Sequence, residues 1–295
     1  MKSQTKAIGF ALLSVLCWST VAPAFKLALN EISVVQVLTI ASGVASLVLG
    51  VLLIIQRKLS LLKQVSKRDF LWSVLFAAIN PVIYYLVLFS AYDRLPAQIA
   101  QPLNYTWPVM LSLLAIPFLK QKLSLKAFLA LFISFGGVLV ISLQNLDGTG
   151  LESDTTGIIL AILSSVAWAV YWLLQIKSKL DKTIQLFLNF IISFVILIGI
   201  FSLSGQPIPT GLEAWIPSIW IGIFEMGITF FFWMSALQFA YRTDLVSNLA
   251  FLSPFISLFF INLVLHEPIS EATIIGLALI VGGILLQRRI SKQLA

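Results

Sequence analysis

The sequence predicts an all-α membrane protein of ten transmembrane helices, built as two five-helix repeats of inverted topology. Three observations predict it. Of 295 residues, 59% are hydrophobic and 11% charged, with mean hydropathy +1.01, whereas a soluble domain carries about 25% charged residues. The apolar stretches are each near the ~20 residues that cross a ~30 Å hydrocarbon core. Finally, segments of the first half recur in the second. This composition excludes a soluble enzyme, a DNA-binding domain and a secreted scaffold. The formal charge of +7 is then an orientation signal carried by the position of each charge.

The spans follow in order. The first, 7–29, contains Trp18 and Lys26 and starts behind Lys2 and Lys6. It is too long for the apolar core of a signal peptide and runs directly into further spans. The second is 33–55, followed by the basic connector 57–68. The third and fourth, 70–92 and 96–118, are interrupted by Pro81, Pro102 and Pro108. The fifth, 125–143, holds Gly136 and Gly137. The second half reads 156–174, 184–204, 215–240 (with Glu225), 243–265 and 272–289 (with Gly282 and Gly283). Backbone groups in lipid pair internally, so these are helices; barrel strands would be half as long and alternate in polarity.

Placing the N-terminus in the cytoplasm puts 17 of the 19 Lys and Arg inside, leaving Lys26 and Arg94 toward the other face. Glu31, Asp93, Asp147, Glu152, Asp154, Glu213, Glu267 and Glu271 fall outside. The positive-inside rule then predicts a multi-pass protein of the inner cell membrane with both termini cytoplasmic.

ALLSVLCWS (11–19) aligns with AILSSVAWA (161–169), setting Trp18 on Trp168. LNYTWPVMLSLL (103–114) aligns with LAFLSPFISLFF (249–260), setting Pro108 on Pro254, and the same offset sets Gly136-Gly137 on Gly282-Gly283. The repeats are 1–145 and 146–295. Five helices is an odd number, so the second copy enters from the opposite face, an architecture of secondary transporters.

Polar side chains at mid-membrane depth point to a cavity or a partner. Glu225 lies about 15 Å from either face at ~1.5 Å rise per residue. It reads as a structural carboxyl bonded to a neighbouring helix, or as an ammonium anchor or proton carrier. Asn80 and Asn104 sit near mid-depth beside prolines, where freed carbonyls favour irregular helix against a cavity; interhelical polar contact is the other reading. Trp18 and Trp168 lie away from the interfacial belt, and Tyr84, Tyr105, Tyr171 and Trp233 add aromatic surface, either as packing or as the wall of a binding site. Lys26 either snorkels to the outer interface or contacts an anion or gate partner there. Asn248 belongs to closure of the inner side. His266-Glu267-Pro268 reads as a cap of the next turn. The glycine pairs allow close helix approach, within the chain or in a homodimer.

Cys17 is the single cysteine and His266 the single histidine, which leaves no disulfide, no Cys/His metal cluster and no Ser-His-Asp triad away from that position. The chain has no Walker loop, and no cofactor, enzyme activity or nucleic-acid partner is expected.

LCWSTVAPAFKLAL (16–29), the proline-containing helices 4 and 9, LHEPIS (265–270) and the terminal Gly-Gly helices together resemble the EamA family of the drug/metabolite transporter superfamily, over essentially the whole chain. The resemblance implies a ten-helix carrier of small organic metabolites with a central cavity lined mainly by helices 1, 3, 4, 6, 8 and 9. NYTWP (104–108) is similar to the corresponding segment of bacterial aromatic amino-acid exporters; ITFFFWMSALQF (228–239) departs from them. The family's acidic residue after helix 9 falls on Glu267, and the first repeat has Gln121 at that position.

The function expected is alternating-access transport of an amino acid, amine or related metabolite, into or out of the cell. Substrate contacts come from Trp18, Asn80, Tyr84, Asn104, Tyr105, Trp168, Tyr171, Glu225 and Trp233, and gating or coupling from Lys26, Glu225 and Asn248. The partners are a small-molecule substrate and membrane lipid. A channel, a non-transporting scaffold or sensor, and a membrane-embedded enzyme are the rival classes.

Overall fold

The structure, a computed structural model, describes residues 3–119, 125–143, 154–175, 178–240, 246 and 249–293. Its helices are α1 (Gln4–Ser19), α2 (Val21–Glu31), α3 (Val34–Ile55), α4 (Lys67–Ala77), α5 (Tyr84–Arg94), α6 (Ala97–Asn104) and α7 (Trp107–Leu119) in the first half, then α8 (Leu125–Leu143). The second half has α9 (Thr155–Gln175), α10 (Lys182–Ser204), α11 (Leu212–Trp220), α12 (Ile228–Phe239), α13 (Ser253–Leu265) and α14 (Glu271–Gln293). No strand occurs among the described residues.

Six helical runs are long and apolar enough to cross a membrane: Gln4–Glu31, Val34–Ile55, Lys67–Arg94, Thr155–Leu174, Lys182–Ser204 and Leu212–Phe239. Phe132–Ile141, Ala250–Leu265 and Glu271–Gln287 are shorter apolar helices. Leu47, Ile54, Ile55, Val195, Phe259 and Leu263 stand exposed on the bundle surface. An apolar surface of that extent is one that lipid solvates.

The long runs begin where side chains can satisfy first-turn N–H groups. The Ser33 hydroxyl accepts from Gln36 N while the Gln36 side chain accepts from Ser33 N, a capping box. At the starts of α4 and α10 the Ser66 hydroxyl accepts from Asp69 N, and the Asp181 carboxylate from Thr183 N and Ile184 N. Several runs break midway. Between α4 and α5 lies a π-turn, Ala78–Ile83, in which Asn80 leaves helical geometry (φ −142°, ψ 118°) ahead of Pro81. A second π-turn, Ile221–Gly227, joins α11 to α12. The two interrupted runs, Lys67–Arg94 and Leu212–Phe239, are both 28 residues long. The offset of 145 that carries one onto the other also carries Asn80 onto Glu225.

Packing between the halves follows the same exchange. α1 lies on α12 and α5 on α9; α3 packs on α10, and α8 on α14. The α8–α14 seam is close because Gly137 and Gly276 meet there: a Cβ on Gly137 would stand 2.3 Å from the Gly276 carbonyl oxygen. One member of each expected glycine pair works inside the chain in this way, Gly137 and Gly283, while Gly136 and Gly282 face open space.

Two ends of the bundle differ in charge. Turns at 31–33, 93–97, 154, 206–211 and 267–271 gather at one end, held by contacts such as Gln36 Nε2 to the Pro207 carbonyl (2.7 Å) and Arg94 to Asp154 (2.8 Å). The opposite end holds Lys58, Lys63, Lys67, Arg68, Lys179 and Lys182, with Lys58 paired to Asp181 at 2.8 Å.

Candidate functional site

The central cavity is lined from both halves. Its walls come from Trp18, Val21 and Phe25; from Tyr84, Leu88 and Tyr92; from Gln101, Asn104, Tyr105 and Trp107; and from Trp168, Trp172, Glu225, Trp233 and Ala250. Its volume is about 90 Å³, small against the ~300–1,000 Å³ of sites that enclose drug-sized ligands. This conformation admits only a compact group.

Glu225 enters the cavity wall from the second π-turn. A π-turn adds one residue per hydrogen-bonded ring and so changes where the next side chains point; the Thr229 hydroxyl follows it by donating to the Phe224 carbonyl, five residues back. Gly222 makes the turn possible against α3, since a Cβ there would come within 2.7 Å of the Ala41 carbonyl oxygen. Glu225 is buried, and its Oε1 accepts from the Tyr85 hydroxyl at 2.8 Å. Its Oε2 has no protein donor among the described residues. An unsatisfied buried acceptor is costly, so the arrangement is incomplete without a further donor.

Two more lining residues share that property. The buried Gln101 Oε1 and the Trp172 indole N–H also lack protein partners among the described residues. Two other polar walls are bonded to each other and to α9: Tyr84 donates to Asn104 Oδ1 (3.3 Å), and Asn104 Nδ2 donates to Ser164 Oγ (2.8 Å). The rings are fixed by one another across the halves. Trp18 packs on Trp233 with centroids 5.2 Å apart, and Trp168 on Tyr84 at 4.7 Å. Such offset and tilted pairs contribute beyond burial alone. No Lys, Arg or His lines the cavity among the described residues.

Of the residues expected at the substrate site, Trp18, Tyr84, Asn104, Tyr105, Trp168, Glu225 and Trp233 line this cavity. Asn80 does not; it is buried in the first π-turn, with its Oδ1 unpartnered among the described residues. Tyr171 lies elsewhere too. Its hydroxyl accepts from Asn189 Nδ2 at 3.0 Å, and it lines a second cavity of about 170 Å³ with Trp172, Lys182, Gln185, Leu186, Phe230 and Met234. Tyr171 and Trp172, three and four residues past Trp168, both flank its face; the Tyr171 ring packs on Trp168 at 5.8 Å while Asn189 engages its hydroxyl, and Trp172 stands between the two cavities. Trp172 thereby forms a wall of both cavities.

Lys26 is also away from the cavity wall. Its ammonium donates to the Tyr92 carbonyl (2.7 Å) and the Leu95 carbonyl (3.3 Å), at the C-terminal end of α5. A cation there completes orphan carbonyls and opposes the helix dipole. Glu267 does the converse three residues on. Its carboxylate accepts from Ala97 N and Gln98 N (both 3.2 Å), capping α6 rather than the turn that follows it in sequence. Gln98 in turn donates to the Pro268 carbonyl and accepts from Ser270 N. The turn 92–98 is thus fastened from α2, from Asp154 and from 267–270. Asn248 and Gln121 lie outside the described residues.

Sequence reasoning missed Tyr85, Gln101, Trp172 and Gln98. Gln101, a polar residue beside Pro102 at mid-depth, carried the same signal as Asn104, and Trp172 was reachable as the i+4 neighbour of Trp168. Tyr85 gave no signal that set it apart from Tyr84.

The sequence model of the EamA-like transporter family matches residues 5–143 and again 155–288. Among curated relatives, the uncharacterized transporter YvbV of Bacillus subtilis (strain 168) is 24% identical over 255 residues, covering 85% of this chain and 82% of its own. An uncharacterized transporter of Archaeoglobus fulgidus is 27% identical over 216 residues, 72% of this chain and 74% of its own. A solved crystal structure superposes with a TM-score of 0.68 at 20% identity over 99% of each chain, which shows the fold alone. The two family matches together span most of the sequence.

Proposed function

We propose that this chain, which belongs to the EamA-like transporter family, is a secondary transporter that carries small organic metabolites by alternating access through the central cavity. The observation that supports this most is the buried Glu225 carboxylate, half-satisfied in a ring-lined cavity to which both halves contribute.

In this reading the chain forms ten transmembrane helices in two inverted repeats, 1–145 and 146–295. The exchangeable packing of α1 on α12 and α5 on α9 supports it, since inverted halves open one side when they swap conformations. The basic end faces the cytoplasm with both termini, following the positive-inside rule. The fastened turn 92–98 and the small cavity correspond to a carrier closed toward the outside. Exchange then requires Lys26 and Glu267 to release that turn, and a proton or the substrate gradient drives the cycle.

Reconstitution tests it. Liposomes containing the purified protein and loaded with pooled amino acids, amines, nucleosides or sugars should show saturable counterflow of one class. Ohmic current in a planar bilayer, with no saturation, would overturn the carrier in favour of a channel. Glu225→Gln should lose gradient-driven accumulation; retention of both accumulation and binding would remove Glu225 from the mechanism.

A further inference from the structure

The substrate's charge can be argued from what the cavity lacks. Among the described residues its only carboxylate is Glu225, with Oε2 unpartnered, and Gln101 adds a second buried acceptor without a donor. The donors on the walls are all neutral: indole N–H groups, that of Trp172 buried without a partner among the described residues, tyrosine hydroxyls and side-chain amides. No cationic side chain lines the cavity among the described residues. Anionic and zwitterionic ligands would therefore bury a carboxylate beside Glu225 with only neutral donors to receive it, an arrangement that like-charge repulsion opposes. A cation bearing N–H groups meets the opposite situation. It supplies the donors both acceptors lack, and the faces of Trp18, Trp168 and Trp233 attract positive charge.

A second observation concerns the approach. At the acidic end a cleft of about 930 Å³ is bounded by residues 29–36, Asp93 and 206–211, with Glu31 and Asp93 as its charged walls and no Lys, Arg or His. Its lining continues elements that also line the cavity: Leu29 stands one turn beyond Phe25 on α2, and Asp93 follows Tyr92 on α5. The cations on these same helices, Lys26 and Arg94, are tied down, Lys26 to the α5 carbonyls and Arg94 to Asp154. A cleft walled by one sign of charge concentrates the opposite ion.

We infer that the central site takes an organic ammonium ion, a protonated amine without a carboxylate, held by Glu225 and Gln101 and enclosed by Trp18, Trp168 and Trp233. This deepens the transport reading above and rests on it.

The test uses full-length protein in detergent at neutral pH and two matched sets of probes. One set is butylamine, 1-butanol, butyrate and 4-aminobutyrate; the other is phenethylamine, 2-phenylethanol, phenylacetate and phenylalanine. Within each set the amine alone should raise the melting temperature and quench tryptophan fluorescence. Glu225→Gln should weaken amine binding by at least about tenfold, and Trp233→Leu by about 2- to 30-fold. If Glu225→Gln does not yield folded protein, Glu225→Asp keeps the charge and should bind the amine more weakly in the same order of preference, and Trp233→Leu carries the ring test independently. An alcohol, carboxylate or zwitterion that binds as well as its matching amine overturns the inference, as does binding of neither amine. Counterflow in liposomes separates the two readings: flux of a non-cationic compound leaves the carrier and removes the ammonium site, while absence of flux for every compound removes both.

Discussion

The Tyr85 hydroxyl donates to Glu225 Oε1 at 2.8 Å, joining α5 of the first half to the π-turn of the second, and both groups are buried. It is the one protein hydrogen bond found on that carboxylate among the described residues. Tyr85→Phe should leave the carboxylate with no protein donor and lower stability by about 1–3 kcal/mol. In a double-mutant cycle with Glu225→Gln, thermal unfolding should show a coupling of about 1 kcal/mol or more. Strict additivity would mean that the two groups do not interact in the folded protein.

Lys26 and Glu267 act on the same turn from opposite sides, one on carbonyls at 92 and 95 and the other on N–H groups at 97 and 98. Lys26→Met and Glu267→Gln should each destabilise by about 1 kcal/mol. Both should speed labelling of a cysteine placed at Leu95 while leaving ligand preference unchanged. A changed preference would place either residue in the binding site instead.

The glycines make a matched pair of tests. Gly276→Ala would set a Cβ 2.4 Å from Ile141 Cγ1 and 2.7 Å from the Gly137 carbonyl, whereas Gly282→Ala meets nothing within 4 Å. The first should be destabilising by about 1–3 kcal/mol. The second should be neutral or slightly stabilising, as Ala is the better helix former. Equal melting temperatures for the two variants would contradict the close α8–α14 seam.

Trp172 separates the central cavity from the one lined by Lys182 and Gln185. Trp172→Ala should merge them. A cysteine at Ala250, in a background with Cys17→Ser, should then react faster with a hydrophilic thiol reagent added from the side of Lys182. Trp172→Phe should keep the slow rate, because a ring still fills the gap; equal acceleration by both variants would point to general loosening.

The pH dependence of the two ion pairs has a definite sign. Burial pushes the Asp181 carboxyl up, but the Lys58 ammonium and the N–H groups of Ile184 and Thr183 outweigh it, holding the carboxyl below its usual range. The Arg94 hydrogen bond lowers Asp154 in the same direction. A carboxyl depressed on folding adds stability that is present above its unfolded pKa, ~3.9, and is lost as pH falls through the folded value. The difference in melting temperature between wild type and Asp181→Asn should be constant from about pH 5 to 8 and shrink below about pH 4. A difference that grows on acidification would reverse the assignment.

Much of this architecture is legible in the sequence because lipid leaves so few solutions. Long apolar runs must be helices, a buried carboxylate in one of them must meet something, and the recurrence of Trp18 at Trp168 marks a repeat. Glu225 and most of the aromatic walls follow from depth alone. The partners do not. Rise per residue locates a side chain along the membrane normal but does not say what it meets: Tyr171 and Trp172 both flank Trp168, yet only Trp172 lines the central cavity. Both π-turns shift helical phase in mid-span, which no uniform periodicity anticipates. Lys26 illustrates the same division: its depth near one end was fixed by sequence, but its use as a cap for α5 depended on which helix end came within reach. What the sequence alone determined is the class, the elements and their depth; the tertiary structure decided which side chains meet, because contacts across the halves are set by interhelical packing between residues far apart in the chain.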